Sequence, residues 1–201
     1  VKKVQGNTLE LRVHTSDSIL VGPHKEAAAP AAEFAQSSYF INSTDGKVRE
    51  LANRAVGSEK DPWKKALRIE RWVHEHMRPA HHTELAPADQ VARTLTGDCT
   101  EYAMLTAALC RAGGLPSRTA VGVIYAEVKG EPGFAFHMWT EVWVNGAWRS
   151  LDATLGRGGV GATHLKIADQ SWHEERTLTP LLPISRILGR VQMEVLSLER
   201  R

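Results

Sequence analysis

The sequence predicts an α+β domain, with helices first and an antiparallel sheet after them. Three observations carry this reading. Apolar residues recur at helical spacing between residues 46 and 112, in segments opened by acidic caps. The pattern then switches to the β-rich alternation of strands between residues 118 and 154. The dipeptide Asn145-Gly146 sits between two such runs and is a strong signal for a two-residue hairpin. Segregated helices and strands are the mark of α+β architecture. The 201 residues, 42% hydrophobic and 24% charged, suit one globular domain with an extension.

The elements follow in order. Thr8-Leu9-Glu10-Leu11-Arg12-Val13 alternates and reads as a strand, and residues 22–38, rich in Gly, Ala, Pro and Ser, as a connector. Residues 1–38 are thus expected to belong either to the fold or to a missing upstream region, and 39–201 to form the main domain. Val48, Leu51, Ala52, Ala55 and Val56 define a helix over 46–56 that Gly57 ends. Asp61-Pro62 caps a second helix, whose stripe is Trp63, Ala66, Ile69, Val73 and Met77, and Pro79 stops it. A short helix covers 87–95. Asp98 and Glu101 then have capping-box spacing, with Ala103, Ala107 and Cys110 facing inward and Gly113-Gly114 and Pro116 closing the helix. Strands are expected at 118–128, 134–144, 147–154 and 190–198, with a loop at 129–133 and a Gly-rich loop at 156–161.

Charge excludes several partners. Twenty-five Lys+Arg balance 23 Asp+Glu, which gives no reason to expect nucleic acid or an anionic membrane. No apolar run approaches the roughly 18 residues of a membrane span. The chain begins at Val1 with no signal-like segment, so it is expected to be a processed form, and its localisation is unreadable. Cys99 and Cys110 lie eleven residues apart in one expected helix. That is roughly 16 Å, beyond the about 7 Å that a disulfide tolerates.

Three residues carry chemistry. Cys99 falls at the first position of the capped helix, where unpaired N–H groups and the positive end of the dipole should favour a thiolate and could hold an oxyanion. If Asn145 and Gly146 are the loop, Val144 pairs with Ala147. His137, Trp139, Asp152 and Thr154 then share one face, and His137 and Asp152 become diagonal neighbours about 7–8 Å apart at the backbone. A carboxylate there can orient an imidazole as a general base.

The segments 97–103 (Gly-Asp-Cys-Thr-Glu-Tyr-Ala), 107–118, 137–144 (His-Met-Trp-Thr-Glu-Val-Trp-Val) and 148–154 (Trp-Arg-Ser-Leu-Asp-Ala-Thr) resemble the transglutaminase-like superfamily over residues 39–165. The resemblance implies a papain-like, transglutaminase-core fold. It gives Cys99 as nucleophile, His137 as base and Asp152 as orienting acid; Trp139 and Thr154, which share their strand face, are expected to line the cleft. It also implies acyl transfer from amide or peptide carbonyls of a protein or peptide substrate through a thioester, as in bacterial proteins proposed to be cysteine proteases. No metal or other cofactor is expected. Thr100 stands where animal transglutaminases carry an aromatic residue, Ala153 where the family usually has Pro, and Arg93 where papain-like enzymes have an oxyanion Gln. The alternatives are a protein cross-linker and a non-catalytic peptide-binding domain.

Two other signals are set aside. His74, His76, His81 and His82 suggest a metal, but the first two point to nearly opposite sides of a helix. Residues 156–161 match G-x-G-x-x-G, yet the following residues 162–167 alternate like a strand and do not open a helix, so a loop near the triad is expected instead.

Overall fold

The computed structural model describes residues 2–5, 8–10, 28–80, 85–128 and 130–197. Lys2–Gln5 (β1) and Thr8–Glu10 (β2) pair antiparallel. Residues 11–13 of the expected first strand and 22–27 of the connector lie outside the described residues.

Acidic caps set the helices. Asp45 accepts the N–H groups of Lys47 and Val48 and opens Gly46–Val56 (α1). Gly57, at φ 58°, ends it in a conformation glycine tolerates. Asp61 opens Pro62–His76 (α2). Ala88–Thr94 (α3) lies between Arg78–Pro79 (β3) and Thr96–Gly97 (β4), which form a short parallel bridge that no sequence pattern announced. Asp98 opens Cys99–Ala112 (α4) with a complete capping box: its carboxylate takes N–H groups of the first turn, and Glu101 returns a carboxylate oxygen to the Asp98 N–H at 2.9 Å.

α4 is buried on all sides, not along the one expected apolar stripe. Every residue from Glu101 to Arg111 is buried, because α1, α2, α3 and the sheet all contact this helix. Its polar groups are satisfied internally. Arg111 donates to the carbonyls of Gln36, Ser117 and Ser171, which ties the 28–38 segment to the core, and burial lowers its guanidinium to about 10.

Ser117–Val128 (β5), Glu131–Val144 (β6), Ala147–Leu151 (β7) and His164–Gln170 (β8) form an antiparallel sheet of order β7-β6-β5-β8. The hairpin register is the expected one, with Val144 opposite Ala147 and Thr140 opposite Leu151. One face, with Val121, Val123, Met138 and Val142, joins the helical core. His137, Trp139 and Glu141 alternate onto the other face.

Three strands differ from expectation. β6 starts at Glu131, so the 129–133 loop is much shorter. β7 stops at Leu151 because Asp152 turns the chain: its carbonyl accepts from Leu155 and Gly156, and its carboxylate from the Thr154 N–H. Residues 191–197 form no strand. β8 already occupies the free edge of β5, and Val191 and Met193 of the tail instead line one cavity with Val123 and Phe134.

Gly97 positions the start of α4, since a Cβ there would stand 2.3 Å from Glu101 Cβ inside the capping box. Gly97→Ala should therefore cost about 1–3 kcal/mol, read as a lowered urea midpoint. An unchanged midpoint would show that the box can move.

Candidate active site

The site assembles where β7 ends. In a two-residue hairpin Val144 and Ala147 face each other as a hydrogen-bonded pair, so Val142, Thr140 and Met138 also turn their N–H groups toward β7. β7 stops opposite Thr140, which leaves the Met138 N–H uncovered. That N–H is directed at the Cys99 sulfur. The N-terminus of α4 thus occupies the gap that β7 leaves on the edge of β6.

His137 and Asp152 meet directly. Nε2 of His137 lies 2.8 Å from Oδ2 of Asp152, and both residues are buried. With Nε2–H donated to the carboxylate, the lone pair of the ring is on Nδ1. Thr154 closes the same corner, its hydroxyl on Asp152 Oδ1 and 3.4 Å from His137 Nε2. Trp139, buried, lies nearly parallel to His137 with ring centres 6.2 Å apart. Among the described hydrogen bonds none joins the His137 ring to Cys99. The sulfur stands beside the backbone of the next residue.

The electrostatics of the two acids diverge. Burial alone would raise Asp152, but hydrogen bonds from His137 and His164 outweigh it, helped by the charge of His137 and the Thr154 bond. The carboxyl is held well below its ordinary range. Cys99 moves the other way. Burial first, then the carboxylates of Asp98, Asp152 and Glu101, push the thiol from 9.0 up to about 12, although the Met138 N–H pulls it down. The helix terminus therefore does not ionise this thiol by itself, contrary to expectation. It does leave a donor: the Thr100 and Glu101 N–H groups go to the Asp98 carboxylate and Tyr102 to the Asp98 carbonyl, and the Cys99 N–H is not among these bonds.

Residues 49–153 match the profile of the transglutaminase-like superfamily. The chain belongs to this superfamily. It is similar to a proposed cysteine protease from Cytophaga hutchinsonii, with 25% identity and a TM-score of 0.57 over 69% of this chain and 46% of that one. A second similar structure is the periplasmic domain of TgpA from Pseudomonas aeruginosa, at 23% identity and a TM-score of 0.46, covering 61% and 48%. An uncharacterized protein of Haemophilus influenzae is 33% identical over 85 residues, 40% of this chain and 23% of that protein. The chain thus spans less than half the length of each. The transglutaminase-like fold agrees with the predicted class.

Two residues of this cluster escaped sequence reasoning. His164, from β8, puts Nε2 3.0 Å from the same Asp152 Oδ2. Glu70, from α2, accepts the Asp152 N–H at 3.1 Å and the N–H groups of Gly158 and Gly159, which fastens the Gly-rich loop to the helix. Glu70 had left a trace, because it falls among Ala66, Ile69 and Val73 on the buried side of α2.

His137, Asp152 and His164 also form the metal-compatible donor cluster found among the described residues. Their ligand atoms are 2.8 and 3.0 Å apart at mutual hydrogen-bond spacing, so each is already partnered. His74 bonds the Ala153 carbonyl, and His76 stacks on Trp72. His81 and His82 lie outside the described residues. No described helix is long and apolar enough to cross a membrane.

Burial chiefly raises Glu70 from 4.5 to about 7. A carboxyl raised on folding keeps a proton that the unfolded chain loses, so stability falls as pH climbs from 4.5 to about 7, by about 3 kcal/mol. Glu70→Gln keeps an acceptor for the Asp152 N–H and removes this titration. Its urea midpoint should fall less than that of the unmodified chain between about pH 5 and about pH 7.5. Equal slopes would contradict the buried carboxyl.

Proposed function

We propose that the chain is a thiol-dependent acyl-transfer enzyme acting hydrolytically on amide or peptide carbonyls. Cys99 is the nucleophile, His137 the general base and acid, and Asp152 the group that orients the imidazole. The observation that carries this reading is the buried 2.8 Å bond between His137 and Asp152, one residue from the backbone N–H that meets the Cys99 sulfur. Superfamily membership and the likeness to a proposed cysteine protease support it.

The steps follow from the groups present. His137 Nδ1 takes the Cys99 proton as the sulfur attacks the carbonyl carbon. The Cys99 N–H, at the positive end of α4, receives the oxyanion. The C–N bond breaks, His137 returns its proton to the departing amine or ammonia, and a thioester remains. Water then attacks, with its proton passing to His137, and the C–S bond breaks to release the acid and the thiol. Because the resting thiol is held neutral by burial, the imidazole removes the proton during attack. Thr154 and Trp139 exclude water from the His137–Asp152 pair.

Cys99→Ala should lower turnover of a pooled peptide library by at least about 10³-fold with an unchanged melting curve. His137→Ala should match it. Ammonia or amine release without incorporation of a labelled alkylamine marks hydrolysis, and incorporation that competes with water marks cross-linking. Full turnover by Cys99→Ala would overturn the proposal, and peptide binding without turnover would leave a binding domain.

A further inference from the structure

A β-bulge decides where His164 points. Val121 pairs with Ala168, but Gly122 pairs with Lys166, so β8 carries one extra residue, Ile167. Past the bulge Ile124 lies opposite His164. Paired residues share a face, and Ile124, Gly122 and His137 are on the face of the site. Without the extra residue, His164 would turn to the helical core. Gly122 permits the close approach, since a Cβ there would stand 2.0 Å from the Leu165 carbonyl oxygen.

We propose that His164 is a positioning residue: as the Nε2–H tautomer it shares the Asp152 carboxylate with His137, fixing that carboxylate and dividing its charge. The proposal rests on the reading of His137 as the base. Both ring nitrogens support this tautomer. Nε2 is 3.0 Å from Asp152 Oδ2, an acceptor, and Nδ1 is 3.1 Å from the Thr163 hydroxyl, which can donate to it. The ring is almost fully buried, with the edge of Trp139 against it at 5.1 Å and His137 at 5.4 Å. One carboxylate cannot balance two buried imidazolium rings.

Other titratable and charged groups around the pair are already engaged. Glu70 from α2 takes the Asp152 N–H, and Cys99 from α4 faces Met138. On the same sheet face, Arg118, Glu141, Lys166 and Asp169 pair among themselves. A second donor on Oδ2 weakens the pull of Asp152 on the His137 proton.

The test compares His164→Ala and His164→Gln, each checked for an unchanged melting curve. His164→Ala should move the acid limb of the turnover profile to higher pH by about half to one unit. His164→Gln, which restores an N–H donor, should return it most of the way. An unmoved limb in a folded His164→Ala, or a His164→Gln limb equal to that of His164→Ala, would overturn the proposal. A second readout needs no turnover: ¹⁵N spectra of the imidazoles in Cys99→Ala should show His164 as the Nε2–H tautomer. An Nδ1–H tautomer overturns the proposal whatever the activity. If no protein turns over, the enzyme reading fails and the tautomer alone decides.

Discussion

Asp152 holds a negative charge where water does not reach it, and the geometry of the site follows from how that charge is satisfied. A buried carboxylate left unpaired would take up a proton. Here two imidazole N–H groups and a threonine hydroxyl converge on its oxygens, and its own N–H is given to Glu70. Three elements, α2, β6 and β8, and the turn after β7 are thereby fastened at one point. The same bonds keep the carboxyl ionised far below its ordinary range, which lets it hold His137 with Nε2 inward and Nδ1 outward.

Two effects compete at Cys99, and their magnitudes decide the chemistry. A charge at a helix terminus gains about 0.3–1 kcal/mol from the dipole, up to ~2 in favourable partly buried geometries. A thiol raised from 9.0 to about 12 represents about 4 kcal/mol against the thiolate. Burial and three nearby carboxylates therefore win over the helix. The consequence for the proposed reaction is a neutral resting thiol that depends on the imidazole, with the helix terminus serving as an oxyanion donor.

Local rules made much of this legible in the sequence. The Asn145-Gly146 turn sets the register, and the register alone puts His137 and Asp152 on one face. Asp98 and Glu101 placed Cys99 at the first position of α4, where the structure has it. What stayed hidden depends on contacts between distant segments. The bulge at Ile167 flips the face of β8, so alternation alone could not aim His164. The early end of β7 comes from the Asp152 turn and the Glu70 bond, which no strand pattern contains. The ionisation of Cys99 reflects burial contributed by the whole fold, and the tail strand failed because another strand had taken its edge.

The central claim is that His137 acts on the Cys99 thiol. Its most direct measurement is the rate of Cys99 alkylation by iodoacetamide near neutral pH, with and without the imidazole. Cys99 should alkylate while the fully buried Cys110 does not, and His137→Ala should slow Cys99 by about 100-fold or more. Equal rates at Cys99 in the two proteins would contradict it.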